Sequence, residues 1–251
     1  MSPITLALWL LGSWMPSLLA LFLTWLHDGY AGIKIIGKNL IAQNRRLSGY
    51  LVALGIPSLI WIFSLLLVVR DPEFAFPLVD PARWMFIPIG FLAAIPFGPL
   101  GEELGWRGYL QPRLLSKLNP VLAGVIIGAI WTVWHIPLFW APAGSSLSGG
   151  DVTLSAVAEY GFILIVLSVV LVNISQHYGP TLLFALLLHT AWNSQPVRFL
   201  FAPVGDEISE VMSVMEPIAV LVIAMIFGAL FLIWKFKEKP IGKKPIGHSY
   251  K

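Results

Sequence analysis

Long runs of apolar residues, separated by short polar segments, follow one another along most of this chain. Each run is close to the roughly 20 residues that a helix needs to cross a membrane. The apolar positions are continuous rather than alternating, which favours helices over strands. The pattern therefore predicts an all-α, polytopic transmembrane helix bundle with spans at residues 4–26, 49–69, 84–101, 120–141, 153–173, 180–202 and 214–234.

The third run contains helix-breaking residues just before Glu102, namely Pro96, Gly98, Pro99 and Gly101. Proline lacks a backbone donor and pushes the residue before it out of the helical region. These residues predict a broken helix, with a new helix from about Pro99 to Lys117. If Arg113 lies at the cytoplasmic edge, Glu102 lies about 15 Å deeper, near the middle of the bilayer.

Composition supports a membrane as the solvent. Hydrophobic residues make up 57% of the chain and charged residues only 12%, with a mean hydropathy of +0.82. Soluble domains have about 25% charged residues, so this chain has too few ionised groups to cover a soluble globule. The formal net charge is +3, but the basic residues flank apolar runs, which indicates anionic lipid headgroups rather than nucleic acid as partners. Without cysteine, disulfides and thiolate chemistry are excluded.

Basic residues cluster in the first connection, the third connection and the C-terminal tail: Lys34, Lys38, Arg45, Arg46, Arg107, Arg113, Lys117, Lys235, Lys237, Lys239, Lys243, Lys244 and Lys251. The other side of the predicted topology has mostly carboxylates, together with Arg70, Arg83 and Arg198. The positive-inside rule therefore predicts an outside N-terminus and a cytoplasmic C-terminus. The first span lacks the features of a cleaved signal peptide and is expected to be retained.

Ionisable residues inside apolar spans are costly and usually have a function. Glu103 and Arg107 are four residues apart, which is the spacing for an ion pair along one helix face. Glu102 is displaced from Glu103 by about 100° around the helix. We therefore expect one carboxylate to be neutralised and the other to be available for proton transfer, with different acidities.

Two later spans each present a histidine. In the fourth span Gly124, Gly128, Trp131 and His135 share one face, and the glycines allow another helix to approach closely. Pro137, just after His135, is expected to open the end of that helix. In the sixth span His189 and Asn193 are four residues apart, and together they supply two hydrogen-bond donors of the kind that an oxyanion needs.

These residues resemble the motifs of a known family. Glu102-Glu-Leu-Gly-Trp-Arg107 is similar to the EExxxR motif of the CPBP family, which includes the type II CAAX prenyl endopeptidases and relatives linked to bacteriocin processing and self-immunity. Trp131 to His135 resembles its FxxxH motif, with tryptophan in place of phenylalanine. His189 to Asn193 resembles its HxxxN motif. The motifs occur in the family's order, within about residues 85–200.

The resemblance implies an intramembrane endopeptidase with an eight-helix core, so seven to eight spans are expected. Glu102, with His135, would activate a water molecule; His189 and Asn193 would stabilise the oxyanion; Glu103 and Arg107 would hold the site together. The implied organisation is an N-terminal transmembrane hairpin at 1–80, a catalytic core at 81–203, and a C-terminal helix with a basic tail at 204–251. The expected substrate is a membrane-associated protein or peptide, and the expected location is a bacterial or archaeal plasma membrane.

The family is commonly described as metalloproteases, and a set of Glu102, His135 and His189 could bind one zinc or other divalent ion. The chain has no HExxH motif, and the same side chains can act by general-base catalysis without a metal. The residues alone do not decide between these two mechanisms.

Two other function classes stay open. A proton-coupled transporter could use the same Glu and His residues as a relay, but it predicts broken helices in two symmetry-related halves, and only one broken run is present. A non-catalytic immunity or peptide-binding membrane protein would tolerate the loss of motif residues, whereas this chain has all of them.

Overall fold

The structure is a computed structural model that describes residues 3–41, 47–68, 84–141, 152–178 and 182–194. Within these ranges the chain forms helices joined by turns and contains no strand. The predicted all-α class is therefore confirmed for the described residues. The seventh predicted span, at 214–234, and the basic tail lie outside them.

Eight α-helices carry the fold: α1 (Pro3–Leu40), α2 (Leu47–Val68), α3 (Phe86–Ala94), α4 (Pro99–Glu103), α5 (Gln111–Leu115), α6 (Pro120–His135), α7 (Leu154–Tyr178) and α8 (Leu182–Ser194). A π-helical segment, Leu104–Leu110, joins α4 to α5 without a break. We refer to the continuous stretch 99–115 as the motif helix. A 3-10 turn, Ile136–Trp140, follows α6.

Three of the described helical stretches are long and apolar enough to cross a membrane: Ala7–Leu40, Pro120–Trp140 and Leu154–Tyr178. The predicted count of seven to eight spans is not confirmed. The third predicted span contains only the nine residues of α3 before the break, and α8 has 13 residues within the described part of the sixth. In α1 the residues before Gly29 correspond to the first predicted span, 4–26, because Gly29 (φ 62°, ψ −157°) is not helical and kinks the chain there; a second helical part continues to Leu40.

The predicted break before Glu102 is confirmed. Residues 95–98 form a turn, and Gly98 has φ 137° and ψ −72°, a conformation that only glycine adopts readily. Two side chains of α1 bind this region. Trp14 Nε1 donates to the Pro96 carbonyl at 2.8 Å, and Ser17 Oγ donates to the Leu100 carbonyl at 3.0 Å.

Small residues let the helices around the site pack closely. Gly105 of the motif helix faces α1, where a Cβ would lie 2.6 Å from the Pro16 carbonyl oxygen. Gly124 and Gly128 of α6 face the backbone of α7 at Val169 and Ile165, as expected from their spacing. This glycine face turns the later residues of α6, Trp131 and His135, towards the interior of the bundle.

Candidate active site

The motif helix places two adjacent carboxylates and a guanidinium inside the protein. Glu102, Glu103 and Arg107 are 5%, 1% and 4% exposed. Arg107 Nη1 lies 3.0 Å from Glu103 Oε1, so the predicted ion pair is present. The charge pattern places Arg107 among the cytoplasmic basic residues, but its side chain is buried and does not contribute to the cytoplasmic surface.

Glu103 has a second partner on α8. His189 Nδ1 lies 2.8 Å from the same oxygen, Glu103 Oε1, and the histidine is 3% exposed. Because Glu103 is paired with Arg107 and accepts hydrogen bonds, the histidine nitrogen is the donor. His189 is thereby fixed in orientation, and its Nε2 is left for other contacts.

Glu102 is held by two tryptophans. Its Oε2 accepts a hydrogen bond from Trp131 Nε1 of α6 and another, at 3.4 Å, from Trp106 Nε1. The other oxygen, Oε1, lies beside the Gly98 turn, 3.5 Å from where a Cβ at Gly98 would be. Glu102 is thus separated from the ion pair as expected, but it is anchored rather than free.

His135 ends α6. Its Nδ1 lies 2.8 Å from the Trp131 carbonyl oxygen, which can only accept, so Nδ1 is the donor. The neutral ring therefore presents Nε2 as an acceptor. Pro137, in the first turn of the following 3-10 segment, stops the α-helix at this point. The ring packs against Tyr160 of α7, with 5.5 Å between ring centroids.

Asn193 lies one turn beyond His189 on α8 and faces open space. Its Nδ2 lies 3.3 Å from the position of a Cβ at Gly98, on the same side of the turn as Glu102 Oε1. A carboxylate and a carboxamide donor from helices far apart in the sequence therefore flank one point.

A cavity of about 960 Å³ joins these groups. Glu102, His135, His189 and Asn193 line it, while Glu103 and Arg107 are not among its lining residues. The remaining wall is largely apolar and includes seven aromatic side chains: Trp9, Phe97, Trp106, Trp131, Trp134, Tyr160 and Trp192. The structure thus brings all six predicted residues together in two layers, with the ion pair behind the groups that face the cavity.

The predicted metal set does not assemble in the described part of the chain. No group of three or more His, Cys, Asp or Glu side chains is placed there to hold a metal ion. One oxygen of Glu102 is occupied by indole donors. Glu102, His135 and His189 are therefore not grouped as a metal site in the described part of the structure.

Three features of the site were not found from the sequence. The π-helical segment begins directly after Glu103, and such segments are rare and frequent at functional sites. Trp106 and Trp131 both donate to Glu102, a contact that the spacing of the motifs does not indicate. Gln111 bonds Ser175 and links the motif helix to α7. A buried indole needs an acceptor, which is the signal that could have identified the tryptophans.

Comparison with known proteins agrees with the motif resemblance. Residues 83–195 match the family described as Type II CAAX prenyl endopeptidase Rce1-like. A protein named CAAX prenyl protease 2, from Methanococcus maripaludis, is 38% identical over 55 residues, which are 22% of this chain and 20% of the relative. The match thus spans about a fifth of the length of that relative.

Proposed function

We propose that this chain is an intramembrane endopeptidase, because residues 83–195 match the family described as Type II CAAX prenyl endopeptidase Rce1-like and contain the motifs that resemble those of the CPBP family. It hydrolyses a peptide bond of a membrane-associated protein or peptide. Among the described residues, three apolar helices are long enough to span a bilayer, which is consistent with an integral membrane protein.

One observation carries the proposal: Glu102 Oε1 and Asn193 Nδ2 flank a single point beside Gly98, on the wall of a large cavity. Amide hydrolysis needs a base that takes a proton from water and a donor that stabilises the oxyanion. The carboxylate and the carboxamide are these two groups, and the cavity is large enough to admit a peptide segment.

The reaction follows from these positions. Glu102 takes a proton from a water molecule, and the oxygen of that water attacks the scissile carbonyl carbon. The other O–H of the water donates a hydrogen bond to His135 Nε2. The carbonyl oxygen becomes an oxyanion that accepts from Asn193 Nδ2, and from His189 Nε2 when that ring is protonated. Glu102 then returns the proton to the peptide nitrogen, and the C–N bond breaks to give a carboxylic acid and an amine.

Glu103 and Arg107 act behind this surface. Glu103 Oε1 fixes His189 through Nδ1, and Arg107 balances the charge of Glu103. Neither residue lines the cavity, which supports a structural rather than a proton-transfer role. The charge of each is costly to bury alone, so each depends on the other.

The transporter and the non-catalytic alternatives receive less support. A relay through the protein needs acidic or basic groups that continue beyond the site. Of the two helix breaks in the described ranges, at Gly98 and at Gly29 of α1, only the one at Gly98 lines the cavity. A peptide-binding protein has no need of a carboxylate held with one oxygen towards an amide donor.

The test is cleavage of membrane-embedded peptides by the purified full chain and by Glu102→Gln. The substitution preserves the side-chain volume and an oxygen that accepts from the two indoles, but it cannot take a proton. We expect unchanged folding and binding, with turnover lower by about 10²–10⁴-fold. Full activity in Glu102→Gln would remove the general-base role.

The same cleavage assay distinguishes general-base catalysis from catalysis by a bound metal ion. We expect a strong chelator to leave the wild-type rate unchanged, and the purified protein to contain no stoichiometric metal. Loss of activity on chelation that zinc restores, together with loss of bound metal in His135→Ala and His189→Ala, would favour the metal mechanism instead.

A further inference from the structure

We propose that Trp131 is a positioning residue that fixes the carboxylate of Glu102 for catalysis, which makes this inference dependent on the proposed peptidase function. Trp131 is 1% exposed, and its indole N–H donates to Glu102 Oε2 in a charge-assisted hydrogen bond. With Oε2 held in this way, Oε1 is the oxygen that is directed towards the Gly98 turn and the cavity.

Trp131 also touches three of the other predicted site residues. The guanidinium carbon of Arg107 lies 4.7 Å from the centroid of the indole ring, in a cation–π arrangement. The ring of His189 approaches edge-on, with 5.0 Å between centroids. The backbone carbonyl of Trp131 accepts from His135 Nδ1.

Trp131 therefore contacts the proposed base Glu102, Arg107 of the ion pair, and both histidines. Glu102 and Glu103 are on the motif helix, His135 is on α6 and His189 is on α8. A shift of the indole would therefore change the relative positions of groups on three helices. Misplacement of reacting groups by about 1 Å can lower a rate by about 10²-fold.

The direction of the N–H separates positioning from simple packing. A tryptophan that only filled space could direct its N–H to a backbone carbonyl, as Trp14 does towards Pro96. Trp131 instead directs it to the carboxylate that faces the cavity. Phenylalanine fills similar space but has no donor.

The experiment compares wild type with Trp131→Phe in the cleavage assay. We expect kcat to fall by about 10- to 100-fold while KM and the melting temperature in detergent stay close to wild type. Trp25→Phe is the matched control, because Trp25 is exposed on α1 and does not line the cavity. It should leave kcat unchanged.

Equal kcat in wild type and Trp131→Phe would overturn the inference while leaving the peptidase function intact. A rise in KM with unchanged kcat would also overturn it, since that result indicates a contribution to substrate binding. Trp106→Phe should lower kcat less than Trp131→Phe, because the Trp106 hydrogen bond is longer, at 3.4 Å.

A second measurement does not depend on activity. In protein labelled with ¹⁵N-tryptophan, the indole signal of Trp131 is identified by its disappearance in Trp131→Phe. We expect this signal to move upfield in Glu102→Leu, which lacks the acceptor, while the Trp25 signal stays in place. If the Trp131 signal does not move in Glu102→Leu, the inference is wrong. If the signal moves but the wild-type protein cleaves no peptide, only the proposed function is wrong.

Discussion

Glu103 is a buried carboxylate with two buried partners, Arg107 and His189. Its Oε1 accepts from Arg107 and from His189, and all three side chains are buried. A charge in this environment is tolerated because it is paired, and removing one partner leaves the other uncompensated. The pair therefore matters more for folding than an exposed ion pair of the same length.

Arg107→Ala should lower the free energy of unfolding by about 3–5 kcal/mol, because the Glu103 carboxylate loses its counter-ion in a buried site. Arg113→Ala is the matched control, since Arg113 pairs with Asp28 at 3.2 Å but the two side chains are 42% and 49% exposed. Its expected cost is about 0–1 kcal/mol. Thermal melting and accumulation of both variants in detergent provide the comparison. Wild-type stability of Arg107→Ala would show that the pair is accessible to water.

Asn193 differs from the ion pair because its role concerns the transition state. Asn193→Ala should lower kcat by about 10²–10³-fold with little change in KM, since an oxyanion donor acts mainly on the charge that develops during attack. The melting temperature should not change, because the side chain is exposed to the cavity. A variant that retains full kcat would assign the oxyanion contact to another group.

At the scale of elements, the turn at 95–98 and the helix that follows it decide where the catalytic groups lie. Gly98 adopts a conformation that other residues avoid, and its Cα hydrogens face both Glu102 and Asn193. The turn is bound to α1 through Trp14 and Ser17. These hydrogen bonds hold the turn in place, so the motif helix begins at a defined position.

Gly98→Ala should destabilise the protein by about 1–3 kcal/mol from backbone strain. The new Cβ would also lie 3.3 Å from Asn193 Nδ2 and 3.5 Å from Glu102 Oε1. We therefore expect kcat to fall about tenfold or more, since both groups must shift. Gly55→Ala is the control: it is a helical glycine in α2, with nothing within 4 Å of its added Cβ. Comparable behaviour of the two variants would argue against a special role for the turn.

At the scale of the whole molecule, the distribution of basic residues predicts a cytoplasmic C-terminus. A reporter that is active only in the cytoplasm should work when fused to the C-terminus and fail when inserted at Ser148, because the positive-inside rule places these points on opposite sides. A reporter active only outside should give the opposite result. Exchange of the two outcomes would reverse the orientation and move Arg113 to the outer side.

The composition and the local spacing of residues determined much of this protein. Continuous apolar runs predicted helices, and the proline and glycine residues before Glu102 predicted the break that is observed. The spacing of Glu103 and Arg107 predicted their ion pair. These features depend on residues within one or two helical turns of each other, and helix geometry alone fixes such distances.

Tertiary structure decided which groups from different helices meet. Trp131 donates to Glu102 across 29 residues of sequence, and His189 donates to Glu103 across 86. The lengths of the helices also depended on packing, since α3 has nine residues and is shorter than a span. Periodicity shows which residues share a face of one helix. The rotation and approach of neighbouring helices depend instead on side-chain packing at every contact, and so Trp131 could be expected to fill the core but not to hold the carboxylate.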